Sequence, residues 1–346
     1  MNPLAAVEDL IYQLGFSHYG YSAITTPLSW DRYIQWIENN YHGEMDYLKR
    51  HLEIKRDLKN IQTAATSIIS LAHPYRALHE ETEFAFQHLK TAMYAQGSDY
   101  HFWLRERLET IVTRLKELYP SEFFMSSTDS FPIMERDFSY QNRLGWIGKN
   151  SCLIHPKKGS LFLLGNIVTS VNLSQNQQLD PLPDFCGTCT RCIDECPTSA
   201  IGQDKTINST KCISYWTIES KNNPPFDLAA KFQGLFFGCD ICQTVCPWNQ
   251  KVLKRSEPYQ KRQEQMTDAG LATELRLVLR SSGKQLLKLL HGTPLVRAGQ
   301  RGLKRNAMIV IANLKLNSLA EDVRPYLEHE ELKEIAKWCL SELSNP

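Results

Sequence analysis

No run of apolar residues in this 346-residue chain approaches the ~20 that a membrane-spanning helix needs. The longest, residues 161–171, is interrupted by Gly165, Asn166, Thr169 and Ser170. No secretory leader is expected either, because MNPLAAVEDLIYQLGF lacks a basic start and carries Glu8 and Asp9. Net charge is almost nil, Lys+Arg 39 against Asp+Glu 38, and no low-complexity tract occurs. There is no Gly-x-Gly-x-x-Gly turn after a strand, since Gly145 and Gly148 in LGWIGKN have no third partner. A P-loop and the C-x3-C-x2-C of a radical S-adenosylmethionine enzyme are also absent. These absences argue against membrane, secreted and common nucleotide-binding classes, and lead to the expectation of a protein of the reducing cytoplasm.

What is present is an ordinary globular composition, 42% hydrophobic and 22% charged, with ten cysteines. A chain this long can build a large core without crosslinks. In a reducing compartment its cysteines are then expected to be metal ligands or catalysts.

The pattern divides into three regions: 1–173, 174–250 and 251–346. In the first, Leu4, Val7, Ile11 and Leu14 share a helical face that Gly15 is placed to end. A second helix is expected after Ser29. SIISLA at 67–72 reads as a buried strand stopped by Pro74, and 123–126 and 161–171 as further strands. From Thr82 to about Leu118 the spacing predicts a helix that buries Trp103, Leu104, Leu108, Ile111, Leu115 and Leu118. Strands alternating with helices predict an α/β or α+β domain. A polar linker, SQNQQLDPLPD, begins at Ser174 and leads to a cysteine-dense stretch. In the last region Leu303, Ala307, Met308, Ile311 and Leu314 line one helix, and Leu332, Ile335, Ala336 and Cys339 a second that could pack on it.

Charge is unevenly spread. Residues 251–315 hold 14 Lys/Arg and 4 Asp/Glu, a local net of +10 that leaves −9 for the remainder. Such a segment is either a solvated helical face or a polyanion-binding surface.

Eight cysteines form a pattern. Cys186, Cys189, Cys192 and Cys196 follow C-x2-C-x2-C-x3-C-P; Cys239, Cys242 and Cys246 end in a second Cys-Pro, and Cys212 precedes them. In two-cluster ferredoxins the cysteine before proline ligates the other cluster. The same rule assigns Cys186, Cys189, Cys192 and Cys246 to one 4Fe-4S cluster and Cys196, Cys212, Cys239 and Cys242 to a second. Structural zinc would explain two C-x2-C pairs, but not the third ligand at equal spacing or the twin Cys-Pro endings. Cys152 and Cys339 remain outside and read as buried structural thiols. Two clusters imply one-electron delivery to an acceptor held by the N-terminal region.

Several blocks across the chain resemble the epoxyqueuosine reductase family: KRDL at 55–58, GSDYHFWLRERL at 97–108, DSFPIMERDF at 129–138 and LGWIGKNSCLIHPKKGS at 144–160. KCIS at 211–214, FGCDICQTVCPWN at 237–249 and KRNAMIVIANL at 304–314 complete the likeness. The resemblance implies an α+β multidomain fold: an α/β cobalamin-binding domain related to reductive dehalogenases, a two-cluster ferredoxin-like module and C-terminal HEAT-like helices. It implies an oxidoreductase that removes the epoxide oxygen of epoxyqueuosine in a tRNA anticodon stem-loop. Electrons would pass from a reductase, flavodoxin or ferredoxin through the clusters to cobalamin (vitamin B12). A monomer is expected.

Carried over by position, Asp129 is the proton donor, and a carboxyl buried beside an apolar corrin would have a raised pKa. Taken alone, Asp129 in STDSFP reads as an N-cap or turn residue. The implied cobalamin contacts are Arg56, Asp129, Leu153, Ser214 and Asp240; Arg56 alone reads as a surface charge and Leu153 as core. The cobalamin-ligating D-x-H-x-x-G motif fails after Asp99 and His101, which fits a family without a protein axial ligand. Lys304 and Arg305, in the basic segment, are the implied tRNA contacts. A dehalogenase-like enzyme acting on a small molecule would not need the basic segment. A plain two-cluster ferredoxin would leave the N-terminal region and Asp129 without a task.

Overall fold

The computed structural model describes residues 3–80, 84–173 and 180–345. Residues 174–179, most of the expected polar linker, and Thr82 lie outside them. The strands are β1 (His18–Ala23), β2 (Ser67–Pro74), β3 (Lys90–Thr91), β4 (Phe124–Ser127), β5 (Trp146–Ile147), β6 (Leu153–Ile154), β7 (Phe162–Thr169) and β8 (Leu235–Phe237). Four of them make the main sheet in the order β1-β2-β7-β4. Every neighbouring pair in it is antiparallel, which makes this half α+β.

β2 and β7 occupy the centre, so their side chains are buried on both faces. Ile69, Leu71 and Ile167 meet Leu104, Leu108, Ile111 and Leu115 of the Tyr100–Leu118 helix. Ile68 and Val168 point the other way, toward Leu58, Ile133 and Phe138. The helix can lie this close because β7 has Gly165 beneath it; a Cβ there would fall 2.7 Å from a Leu108 methyl.

The helix expected from Thr82 onward begins instead at Tyr100. Among residues 84–99 the backbone N–H groups of Gln87, His88 and Leu89 donate to the Glu274 carboxylate at 2.6, 3.0 and 2.9 Å. Those amides are therefore unavailable for helical bonds. Phe84, Phe86 and Leu89 bury in a second core, and β3 pairs in parallel with β8. Tertiary pairing thus overrides a helical spacing. Asp99 then opens the true helix by accepting the His101 N–H at 3.0 Å.

The second core also takes in residues from 213 to 339, including the expected pair Gly299–Asn313 and Lys333–Ser344. Cys339 is fully buried there. Packing cuts across the expected boundaries at 173 and 250: residues 84–95 join this core, and Leu161 packs with Leu253. Trp36 donates to the Ile207 carbonyl at 2.7 Å, and Glu44 accepts from Ser220 Oγ at 2.8 Å and Lys221 N–H at 2.9 Å. Among the described residues, no helix is long and apolar enough to cross a membrane.

Candidate functional site

After β4 the chain turns through Asp129 into the Glu135–Gln141 helix. Asp129 has φ 50°, a left-handed conformation that aspartate tolerates better than most residues. Its N–H donates to Glu135 Oε1 at 2.9 Å, and Asn166 Nδ2 of β7 reaches the same oxygen at 3.2 Å. Asn166 Oδ1 accepts from Ser70 Oγ at 2.9 Å, and Asn142 Nδ2 donates to Ser70 Oγ at 2.8 Å. A polar chain therefore runs from the middle of the sheet to the backbone of Asp129 and braces the turn.

The Asp129 carboxylate meets the first turn of the Tyr100–Leu118 helix. Its Oδ2 accepts from the Tyr100 hydroxyl and from His101 Nε2–H, both at 2.9 Å. His101 Nδ1–H donates to Asp99 Oδ1 at 2.7 Å, and the Asp99 N–H donates to the Gly292 carbonyl at 2.7 Å. The helix N-terminus adds partial positive charge that favours both carboxylates.

Electrostatics follow from this geometry. Hydrogen bonds to Asp129 and then Asp99 push His101 up to about 9, so its ring is an imidazolium at neutral pH. For Asp129, desolvation pushes upward, but hydrogen bonds from His101 and Tyr100 and the charges of His101 and Arg297 outweigh it. The carboxyl is held below its usual range. Glu135 is pushed up to about 8, by burial first and by the Asp129 charge second. Without a corrin beside it the Asp129 side chain is 56% exposed, and the group pushed upward is its neighbour Glu135.

A second wall comes from elsewhere in the chain. Arg297 donates through Nε to Glu219 Oε1 at 2.6 Å and through Nη2 to Glu219 Oε2 at 2.9 Å, and its guanidinium stands 5.8 Å from the Tyr47 ring centre. Tyr94 packs edge-on to Tyr100 with ring centres 5.9 Å apart. Burial raises the Tyr94 phenol, and the charges of Asp129 and Asp240 raise it further, so Tyr94 lies within electrostatic reach of both carboxylates. Asp240 accepts the Met93 N–H at 2.7 Å, and burial pushes its carboxyl up to about 6.

All ten cysteines are free thiols. Burial pushes Cys192 up to about 11, with Cys186, Cys246 and Cys189 adding to it; Cys246, raised first by burial, also senses Cys186 and Cys189. Burial pushes Cys239 up to about 12, with Cys212 and Cys196 as further causes. Cys242 is raised by burial, then by Cys152, Cys239 and Cys212. The thiols that influence one another are thus Cys186, Cys189, Cys192 and Cys246 in one set and Cys196, Cys212, Cys239 and Cys242 in another. Among the described residues, no three His, Cys, Asp or Glu converge so that they could hold a single metal ion. Trp146 Nε1–H donates to Cys186 Sγ at 3.4 Å and the Ala200 N–H to Cys196 Sγ at 3.3 Å. Cys152, expected to be a bystander, lies against both groups and Asp240.

The other expected contacts separate. Ser214 hydrogen-bonds Cys212, beside the second group. Arg56 is exposed at the end of the Leu52–Arg56 helix. The Leu153 side chain is enclosed by Ala72, Leu144 and Phe162. Arg305 is corrected: it is 2% exposed and donates to the carbonyls of Ser220 at 2.9 Å, Asn222 at 2.6 Å and Trp216, so no phosphate can reach it. Lys304, half-buried, donates to Tyr326 Oη at 2.8 Å and to the Leu279 carbonyl at 3.3 Å. Five of the segment's 14 cations pair with carboxylates outside it: Arg276 and Arg280 with Asp322, Arg297 with Glu219, Arg301 with Glu331, and Lys315 with Glu342. Lys251, Lys254, Arg255, Lys284 and Lys288 remain exposed.

Sequence reasoning missed His101, Tyr94 and Arg297 as site residues. His101 stood in view within DYH but was weighed only as a metal-ligand motif. Glu135 lay in the block that carried Asp129. Nothing in one dimension places Arg297 near Asp129.

Comparison with known proteins identifies the family. Residues 185–249 match the 4Fe-4S double cluster binding domain, and residues 55–130 match the family described as epoxyqueuosine reductase QueG, DUF1730. The epoxyqueuosine reductase of Cyclobacterium marinum is 39% identical over 244 residues, 70% of this chain and 78% of the relative. That of Pseudomonas aeruginosa is 33% identical over 314 residues, 89% and 84% of the two chains. In solved structures, the Streptococcus thermophilus enzyme superposes with a TM-score of 0.85 at 24% identity, covering 100% of this chain and 91% of the other. An epoxyqueuosine reductase solved with an epoxyqueuosine-modified tRNA-Tyr stem loop gives 0.80 at 22% identity, covering 99% and 100%. With a double-cluster module, a shared fold and these identities along most of its length, the chain belongs to the epoxyqueuosine reductase family of oxidoreductases.

Proposed function

We propose that this chain reduces epoxyqueuosine to queuosine in the anticodon loop of tRNA, with two 4Fe-4S clusters and cobalamin as cofactors and Asp129 as the residue that hands a proton to the departing oxygen. One observation carries the reading. Asp129 is held by charged His101 at its carboxylate and by Glu135 at its N–H, and Tyr94 feels the charges of both Asp129 and Asp240, the neighbour of Cys239. An acid–base centre and a thiolate cluster site thus lie within electrostatic reach of one tyrosine, Tyr94, whose ring packs against Tyr100. The relatives' shared name supports the substrate, and the stem loop held by one solved relative supports tRNA as its carrier.

The donor set suits cobalamin. Asp240 is desolvated and has one firm donor, the Met93 N–H; Gln243 Nε2 is 3.5 Å from its other oxygen. A corrin fringed with carboxamides offers the N–H groups that such a carboxyl lacks. Asp240 and Ser214 would hold the ring's edge, the Leu153 backbone would line it, and Arg56 would meet a polar substituent. When bound, the clusters and cobalamin supply two electrons to the oxirane. The chain's own residues do the rest. Arg297 and Tyr47 shape the entrance beside Asp129, Glu135 fixes the Asp129 backbone, and Tyr100 and His101 orient its carboxylate.

The proposal includes a catalytic domain at 1–173, a ferredoxin-like module at 174–250 and a HEAT-like tRNA-binding region at 251–346, which share cores as described. It also includes a cytoplasmic monomer fed by a reductase, flavodoxin or ferredoxin. The test is direct. Anaerobically reconstituted protein with cobalamin and a low-potential reductant is incubated with epoxyqueuosine-tRNA, and the nucleosides are analysed. Conversion to queuosine is expected; unchanged epoxyqueuosine would overturn the proposal.

A further inference from the structure

Deoxygenating an epoxide breaks two C–O bonds, forms one C=C bond and releases the oxygen as water. Each turnover therefore consumes two electrons and two protons. Asp129 can carry one proton at a time, and the hydrogen bonds from His101 and Tyr100 hold its carboxyl below the usual carboxylate range. A proton store must stand behind it. Three groups touch Asp129. The Tyr100 phenol is held far above its usual range by burial and then by the Asp129 charge, so it keeps its proton. Glu135 meets the Asp129 N–H rather than the carboxylate. His101 alone joins a mobile proton to Asp129 Oδ2, at 2.9 Å, and its side chain is 30% exposed to water.

We propose that His101, clamped between Asp99 and Asp129, is the proton reservoir of the site: its Nε2 proton passes to Asp129 Oδ2, Asp129 delivers it to the departing oxygen, and water recharges the ring for the second transfer. This rests on the epoxide-reduction reading above. The two electrons come from the one-electron reductant already named, so the balance closes. Asp99 is the positioning residue, since its Oδ1 at 2.7 Å from Nδ1 holds the tautomer that leaves the labile proton on Nε2. The groups around the relay are Asp99 and Tyr100 on the same helix, Asp129 and Glu135 after β4, and Tyr47, Tyr94, Glu219 and Arg297 on the opposite wall. Asp99, His101 and Asp129 titrate as a coupled set, so the pH profile reports the set rather than one residue.

The alternative is an ion pair that only braces the Asp129 turn, and two measurements distinguish them. In the cluster-loaded chain, with its clusters oxidised, histidine 15N NMR should show His101 charged to about pH 9, and Asp129→Asn should return it toward the ordinary value of about 6.5. In the reconstituted holoenzyme with an epoxyqueuosine-bearing stem loop, His101→Gln should lower kcat about 10²- to 10⁴-fold with little change in KM. The wild-type rate should fall as pH rises through the upper titration, and that limb should vanish in His101→Gln. Asp99→Asn should slow the reaction less and move the limb to lower pH. A His101 that titrates near 6.5 in the wild type, or a His101→Gln enzyme with the wild-type kcat and pH profile, would overturn the relay and leave epoxide reduction intact. A wild type that converts nothing at any pH would overturn both, starting with the underlying reading. Asp99→Asn and the NMR titration decide the matter even where His101→Gln fails to fold.

Discussion

Arg305→Ala tests whether the cation nearest the matched basic block serves the RNA or the fold. The guanidinium is 2% exposed and donates to the carbonyls of Ser220, Asn222 and Trp216 and to Asn306 Oδ1 at 3.1 and 3.2 Å. Truncation leaves three carbonyls facing a cavity. Each buried, unsatisfied acceptor costs about 1–3 kcal/mol, which bounds the loss at roughly 3–9 kcal/mol. Two effects reduce it: water can enter the space left behind, and the desolvation of Arg305 itself is relieved. That desolvation is large, since burial pulls its pKa down to about 10. A net loss of about 2–4 kcal/mol follows, equivalent to roughly 3–6 °C in Tm for a chain of 346 residues. Differential scanning calorimetry of the reconstituted protein measures it. Arg305→Lys should recover only part, because an ammonium cannot reach acceptors on 216, 220 and 222 together. An Arg305→Ala protein with an unchanged Tm, weaker tRNA binding and a smaller salt dependence would refute the reasoning and restore Arg305 as a phosphate contact.

Asp129→Asn should keep the fold, because asparagine also accepts a left-handed backbone, and should lose about 10²- to 10⁴-fold in kcat; undiminished turnover in the nucleoside assay would remove Asp129 from the chemistry. Reversing Lys284 and Lys288, both exposed, should weaken tRNA binding and reduce the slope of log affinity against log salt by roughly one to two; an unaltered slope would exclude that face from the phosphate contacts. His18, His73 and His155 are held down to about 3, 4 and 4, burial being the leading cause for each. The unfolded chain binds more protons below about 6.5, so stability is full above that pH and is lost as pH falls toward 4. Urea midpoints measured from pH 7 to pH 4 should fall across that window, and a flat profile would contradict the neutral, buried assignment.

The periodic elements were the most legible part. Apolar spacing located β2, β7 and the Gly299–Asn313 and Lys333–Ser344 helices, because each buries one continuous face or run. The same rule misread residues 84–99, where Glu274, nearly two hundred positions away, captures three amides. Arg305 failed for a related reason: a charge count records sign and number but not the carbonyls that a fold brings to one guanidinium.

The sequence by itself determined the cluster chemistry. Thiolates at C-x2-C-x2-C spacing with twin Cys-Pro endings are a local, short-range signal, and residues 185–249 match a double-cluster domain. It also singled out Asp129 as the proposed proton donor, through the block that contains it. Only the tertiary structure decided the protonation states around that aspartate. They depend on His101 at 2.9 Å, on Glu135 behind the backbone, and on Arg297, which the chain returns to the site from 168 residues away. A pKa is set by charges and solvent within a few ångströms, and those distances exist only once the chain has folded.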